Sequence, residues 1–362
     1  MNKSPQALYI HIPFCNVICG YCSFTRFGYQ EKLADHYLER LIEDLARVKE
    51  VETIYIGGGT PTALTLSQLD RLLSAISPLI KNAQEITIEA NPDSLTDDKI
   101  DCLIQHGVNR VSLGVQTTDN QMLKCIGRTH SFEKVIDRVL ALRTKDLPNI
   151  TMDLMYGLPN QTLEDVINDL DKLLELKPVH LSLYALTIDE NTAFFNRNIK
   201  AAPSELETQM YLEILKRLTT AGYQHYEIAN FALEGYESLH NKHYWQYDDF
   251  YGVGVGASGK EQHVRYTNTV KLDQYLKKET QFHERIELTK ADEMFETLMM
   301  GLRTQQGVSK DKFYNTFNCD LSIYQDKFAP FLKQGLLIED KSSLYASEKG
   351  RLMLNDVLIA LL

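Results

Sequence analysis

Between Ala7 and about Asn230, short apolar or β-branched runs alternate with longer stretches whose apolar residues recur at helical spacing. The runs Leu8–Ile12, Thr53–Ile56, Glu85–Glu89, Arg110–Val115, Ile150–Met155, His180–Leu186 and His225–Ile228 predict strands. The stripes Leu33, Tyr37, Leu41, Leu45, Val48 and Val166, Leu170, Leu173, Leu174 predict the helices between them. Alternation at this pitch predicts parallel βα units. A doubly wound sheet and a barrel share it, but here the special residues fall at or near the C-terminal end of nearly every strand. His11, the Gly57-Gly58-Gly59-Thr60-Pro61 run, Glu89, Gln116 and Asp153 all do so. That is the active-face arrangement of a (β/α) barrel. Six units predict an α/β fold with a partial barrel rather than a closed eight-stranded one.

The pattern changes after Asn230, with a polar and aromatic stretch from His240 to Tyr251 and then the glycine-rich Gly252–Gly259. Helical spacing follows, and Leu336-Leu337-Ile338, a polar turn at Asp340–Ser343 and Leu344-Tyr345-Ala346 predict a β-wing before a last helix. The expected organisation is a barrel over residues 1–235, a connecting segment over 236–270, and a small C-terminal helical winged domain over 271–362.

Charge narrows the partners. The chain carries 38 Lys+Arg against 49 Asp+Glu, a formal net charge of −11, with no long basic run. Such a surface repels phosphate backbones and anionic headgroups, which argues against nucleic acid and allows at most transient membrane association. The first residues lack the apolar core of a signal peptide, and no stretch reaches the ~18 apolar residues of a membrane span. A cytoplasmic protein with reduced thiols is expected.

Three of the six cysteines crowd into one loop after the first strand, as Cys15-x3-Cys19-x2-Cys22. Three thiolates at this spacing can ligate three irons of a [4Fe–4S] cube and leave the fourth open to a ligand. Zinc held by the three cysteines and a histidine such as His11 is the alternative, although structural zinc sites ordinarily use paired C-x2-C knuckles. Consecutive glycines after a strand let backbone N–H and C=O groups approach a ligand closely. Glu89 and Asp153 can accept hydrogen bonds from ribose hydroxyls or an ammonium, and Gln116 and Arg128 can bond ribose and a carboxylate.

This constellation resembles the radical S-adenosylmethionine superfamily, whose open iron is chelated by the methionine amino and carboxylate groups. Tyr9-Ile10-His11-Ile12-Pro13-Phe14-Cys15, Gly57 to Thr62, Glu89-Ala90-Asn91-Pro92, Gly114-Val115-Gln116, Gly127-Arg128-Thr129-His130 and Asp153 to Pro159 resemble, in order, motifs of its oxygen-independent coproporphyrinogen III oxidase-like branch. The resemblance implies cofactor-binding roles for Tyr9, Gly58, Gly59, Thr60, Glu89, Gln116, Arg128 and Asp153. Two departures set the chain apart from the true dehydrogenase. Its motif continues to a fourth cysteine two residues on, where this chain has Ser23 and Phe24 after Cys22; it also has a long extension before the cluster, and Cys15 here is the fifteenth residue.

The chain is instead similar to the HemW-type heme chaperones, marked by H-N-x-x-Y-W, which stands here as His240-Asn241-Lys242-His243-Tyr244-Trp245 with the only tryptophan. The resemblance implies heme as a further ligand, with His240 ahead of His243 as a candidate axial ligand beside stacking aromatics. It also implies heme-accepting respiratory proteins as clients and a flavodoxin or ferredoxin-type electron donor. Coproporphyrinogen decarboxylation is not expected; that dehydrogenase, another radical enzyme and a zinc-stapled binding protein are the rivals. The run Gly254-Val255-Gly256-Ala257-Ser258-Gly259 fits a dinucleotide fingerprint but lies after the βα units. It is expected instead to bring backbone near Ala257 to the adenosyl end of the cofactor.

Overall fold

The computed structural model describes residues 5–361. Its first six parallel strands are β1 Ala7–Ile12, β2 Thr53–Gly58, β3 Glu85–Ala90, β4 Arg110–Gln116, β5 Ile150–Tyr156 and β6 His180–Ala185. Most alternate apolar residues such as Ile86 and Ile88, packed in the core under the helices, with polar or small ones such as Thr87 and Glu89 on the face that turns into the barrel. Beyond them come β7 Gln224–His225, β8 Asn230–Ala232, β9 Phe250–Val253, β10 Ser258–Glu261, β11 Val264–Asn268 and β12 Phe282–Glu287. All twelve form one open sheet in the order β12-β11-β10-β9-β1-β2-β3-β4-β5-β6-β8-β7.

The expected partial barrel is present, with one addition. Strand β9 lies parallel to β1, pairing Ala7 with Phe250 and Ile10 with Val253, and so extends the parallel core to a seventh strand. At the other edge the expected strand at His225–Ile228 is replaced by the short antiparallel pair β7 and β8. Residues 236–270, expected as a connection, hold the helix Leu239–Trp245 and three strands of the main sheet.

The helices form where the sequence supplies a stripe and a cap. Leu163–Glu175 buries Val166, Leu170 and Leu173 and opens on a reciprocal capping box between Thr162 and Asp165, which satisfies two of the otherwise orphaned N-terminal donors. The barrel core is a single apolar cluster from Leu8 to Tyr275. A second cluster, from Met294 to Leu361, fills the helical C-terminal unit. There Leu337–Glu339 and Ser343–Ala346 form the expected wing hairpin, joined by Val308–Ser309. No helix among the described residues is long and apolar enough to cross a membrane.

Candidate functional site

The loop leaving β1 is pinned at both ends. Phe14-Cys15 pairs in parallel with Phe27-Gly28, the Phe27 N–H donates to Pro13 O over 2.7 Å, and the Tyr29 N–H donates to Cys15 O over 2.9 Å. Inside it, the Cys22 N–H donates to Cys19 O, closing a tight turn between two of the thiols. Gly20 sits so close to Phe194 that a Cβ would fall 2.4 Å from the ring, so the loop seats only with glycine there.

Cys15, Cys19 and Cys22 all line one cavity of about 460 Å³ at the C-terminal ends of the strands. All three thiols are free, and burial pushes Cys15 up to about 11 and Cys22 in the same direction. Cys15 and Cys22 therefore stay protonated until a cation displaces their protons. The Thr60 hydroxyl donates to Cys15 Sγ at 3.7 Å.

The three sulfurs do not all lie within 4.8 Å of one another. Tetrahedral zinc would draw its sulfurs to about 3.8 Å apart, whereas a cube puts them on three different irons and needs wider spacing. His11 is no fourth ligand for zinc: Tyr9 Oη stands 2.8 Å from its Nδ1, and its Nε2 is 2.8 Å from Thr25 O. The donor set fits the cluster better than a single ion.

The wall opposite the thiols is polar. Gly58, at φ +115°, donates its N–H to Glu89 Oε2 over 3.0 Å, and the Tyr55 hydroxyl donates to Glu89 Oε1 over 2.9 Å. At Gly59 a Cβ would lie 2.8–2.9 Å from the Phe14 backbone, so this turn needs glycine to pass the cysteine strand. Asp153 accepts from Ser112 Oγ at 2.9 Å, while its Oδ1 is buried without a partner. Burial, and next the charge of Asp153, raises Glu89 to about 7; burial raises Asp153 to about 6. Facing them is half-buried Arg128, whose guanidinium donates to Asn91 Oδ1 and to the Tyr21 hydroxyl. Gln116 enters from a register shift in β4 and holds φ +70°, a left-handed conformation that re-aims a strand-end side chain.

Two desolvated carboxylates and one guanidinium around a glycine-lined turn suit a zwitterion that carries both an amine and a carboxylate. The orphaned Asp153 oxygen offers an acceptor to a hydroxyl or ammonium. Of the residues expected at this site, the fold brings together Cys15, Cys19, Cys22, Gly58, Gly59, Thr60, Glu89, Gln116, Arg128 and Asp153.

Tyr9, Ala257 and His240 do not line it. Tyr9 lies beside it, bonded to His11 and stacked on Tyr55. Ala257 is fully buried behind the β9–β10 turn, where Gly254 packs on His11 O and Tyr37 Oη.

His240 sits at the opposite end of the strands. The Leu239 and His240 N–H groups and the Ser238 hydroxyl donate to the Glu85 carboxylate at the start of β3, and Arg110 at the start of β4 stands 3.5 Å from it. The imidazole is 0% exposed, with Nδ1 2.9 Å from Thr53 Oγ1 and Nε2 2.7 Å from the Tyr244 hydroxyl. Burial, with His243 second, lowers its pKa to about 3, so it stays neutral. Both ring nitrogens are engaged and the ring is wholly buried, so the residue plugs the barrel floor here and would have to leave Thr53 or Tyr244 to ligate heme. His243 is paired with Asp248 at 3.1 Å.

Tyr55 and Ser112 were not singled out by sequence, and Asn91 stood in a motif without a role of its own, yet all three line the cavity. A signal for Ser112 existed, because in Arg110–Gln116 it stands with Arg110 and Gly114 on the strand face opposite Val111 and Leu113.

A second cavity of about 570 Å³ opens between the helix Leu239–Trp245 and the C-terminal unit, lined among others by Lys242, Trp245, Tyr247, Lys312 and Phe313. The Trp245 indole N–H is buried there without an acceptor.

The chain matches the Radical SAM superfamily over residues 9–173 and the HemN C-terminal domain over residues 288–353. It is 41% identical to the heme chaperone HemW of Lactococcus lactis, over 99% of this chain and 97% of that protein. The heme chaperone HemW of Bacillus subtilis is 34% identical over 99% of both chains. Among solved structures, the coproporphyrinogen III oxidase HemN of Escherichia coli, a radical SAM enzyme, superposes with a TM-score of 0.87 at 25% identity. That match covers 99% of this chain and 90% of the enzyme.

Proposed function

The chain belongs to the HemW family of heme chaperones within the radical SAM superfamily, and on that premise we propose that it binds heme and delivers it to hemoproteins of the respiratory chain. Superfamily membership implies a [4Fe–4S] cluster and S-adenosylmethionine. In this reading Cys15, Cys19 and Cys22 hold the cluster. Gly58, Gly59 and Thr60 cradle the methionine end, Arg128 pairs with its carboxylate, and Glu89, Gln116 and Asp153 meet its ammonium and ribose. A cluster held by Cys15, Cys19 and Cys22 would supply an electron for reductive cleavage of the sulfonium, drawn from a flavodoxin or ferredoxin-type donor in the cytoplasm.

Full-length kinship with heme chaperones carries the heme part of this reading. The marker motif retains its place through Trp245 rather than His240. Lys242, Trp245 and Gln246 share a helix face on the second cavity, and Lys312 faces it from the C-terminal unit. An indole wall with an unused donor, and two ammonium groups that pair with Glu237 and Asp248 until a ligand competes, suit a planar, apolar ring system bearing carboxylates.

Anaerobic hemin titration tests the reading. Wild type should take up one heme per chain, and Trp245→Ala should weaken binding roughly tenfold or more (about 1.4 kcal/mol) with cluster content unchanged. Equal binding by the variant overturns this location, and no binding by wild type overturns the function. Consumption of coproporphyrinogen III by the same preparation would favour the dehydrogenase instead.

A further inference from the structure

On the outside of the barrel, the helix Leu66–Ile76 that follows β2 packs beside the helix Asp97–Gln105 that follows β3. Their contact brings three unlike donors together. An oxygen of Asp70, the sulfur of Cys102 and an imidazole nitrogen of His106 all lie within 4.8 Å of one another. Nε2 of His106 is 2.9 Å from Asp70 Oδ1. Cys102 and His106 are four residues apart, so one helical turn presents both on the same side, the spacing that helical metal sites exploit. Asp70 completes the set from the neighbouring helix.

The arrangement runs from core to solvent. Cys102 is 5% exposed at the edge of the apolar core, whereas the Asp70 side chain is 59% exposed and leaves the set open to water. We propose that Asp70, Cys102 and His106 bind one divalent transition-metal ion, zinc by preference, with solvent water as the fourth ligand. Thiolate, imidazole and carboxylate are the donors zinc takes, at about 2.3, 2.0–2.1 and 2.0–2.2 Å, and magnesium or calcium would want oxygen alone. Around such an ion the donor atoms stand about 3.3–3.8 Å apart, so side-chain rotation of roughly an ångström closes the set.

Binding forms a sulfur–metal bond and releases the thiol proton to solvent; the histidine binds neutral, and no electron moves. Without the ion, burial and then the Asp70 charge raise the pKa of the thiol, and a cation relieves both. The ion would cross-link the two helices whose preceding loops carry Gly58–Thr60 and Asn91. It would thereby brace one wall of the cluster cavity without sharing a ligand with it.

The test uses full-length protein with its cluster reconstituted, so that Cys15, Cys19 and Cys22 are occupied, titrated with Co²⁺ as a spectroscopic stand-in for zinc. The expected result is one Co²⁺ per chain beyond the cluster iron, with tetrahedral d–d bands and a thiolate-to-cobalt charge-transfer band in the difference spectrum. Cys102→Ser should abolish the charge-transfer band. Asp70→Asn, on an exposed side chain that leaves the fold intact, should weaken uptake by at least about tenfold, and His106→Gln by more than about 100-fold, beyond what loss of an outer partner costs. Cys125→Ser, at an exposed thiol elsewhere, should change nothing. Absence of cobalt uptake beyond the cluster, or a charge-transfer band that persists in Cys102→Ser, overturns the site and leaves Asp70–His106 a surface ion pair.

Discussion

Replacing His240 with alanine separates a barrel plug from a heme ligand. The ring is wholly buried, packs 5.3 Å from Tyr55 and 4.9 Å from Tyr244 by ring centres, and bonds the hydroxyls of Thr53 and Tyr244. Its removal strands two buried hydroxyls at about 1–3 kcal/mol each, and the void adds about 2 kcal/mol. These losses share one pocket and do not sum fully, so about 4 kcal/mol is the expected destabilisation. Urea unfolding of the cofactor-free chain measures it, followed by Trp245 fluorescence, since the tryptophan ends the same short helix. With an m-value near 3 kcal/mol/M, the midpoint falls by about 1.3 M. Hemin affinity of the folded fraction stays within a factor of about two. A variant within about 1 kcal/mol of wild type that has lost hemin affinity would refute the plug and restore His240 as a ligand.

Other perturbations act at the cluster cavity. Gly59→Ala drives a methyl into the Phe14 backbone, so S-adenosylmethionine affinity measured by calorimetry should drop at least about tenfold (~1.4 kcal/mol) even where the cluster assembles. Arg128→Lys loses the planar fork that bonds Asn91 and Tyr21 together, and should weaken the same affinity by a similar factor with little change in melting temperature. Glu89 sets a pH dependence. Its pKa is raised from the ordinary 4.5 to about 7, so between those values the folded chain holds a proton the unfolded chain has released. The stabilisation is complete below about pH 4.5 and is lost as pH rises through about 7, a slope of order 3 kcal/mol across the window. Melting curves of cofactor-free protein should show Glu89→Gln flattening that slope; an unchanged profile would remove Glu89 as its source.

The sequence made the cluster loop and glycine turn legible because their chemistry is local. Cys15, Cys19 and Cys22 share one loop, and Gly58 to Thr60 follow a strand whose apolar run is unmistakable. The six parallel strands were legible for the same reason. Strand β9 was not, because Phe250–Val253 is short, follows a polar stretch, and finds its partner in β1 some 240 residues earlier. The burial of His240 was not legible because the side chains that would bind a porphyrin also plug an apolar barrel. The inward position follows from the Glu85 carboxylate, 155 residues away, which fixes the helix start. The surroundings of Ala257 were hidden in the same way: a glycine-rich run permits close approach but does not say to what.

The central claim is that one chain carries two separate sites, a cluster cavity at the barrel mouth and a heme site at the motif helix. Anaerobic hemin titration of reconstituted wild type beside Cys15→Ser tests it most directly, with iron and bound heme counted in the same samples. The account predicts that the variant loses the cluster yet still binds about one heme per chain with near wild-type affinity. Loss of heme together with the cluster would contradict it.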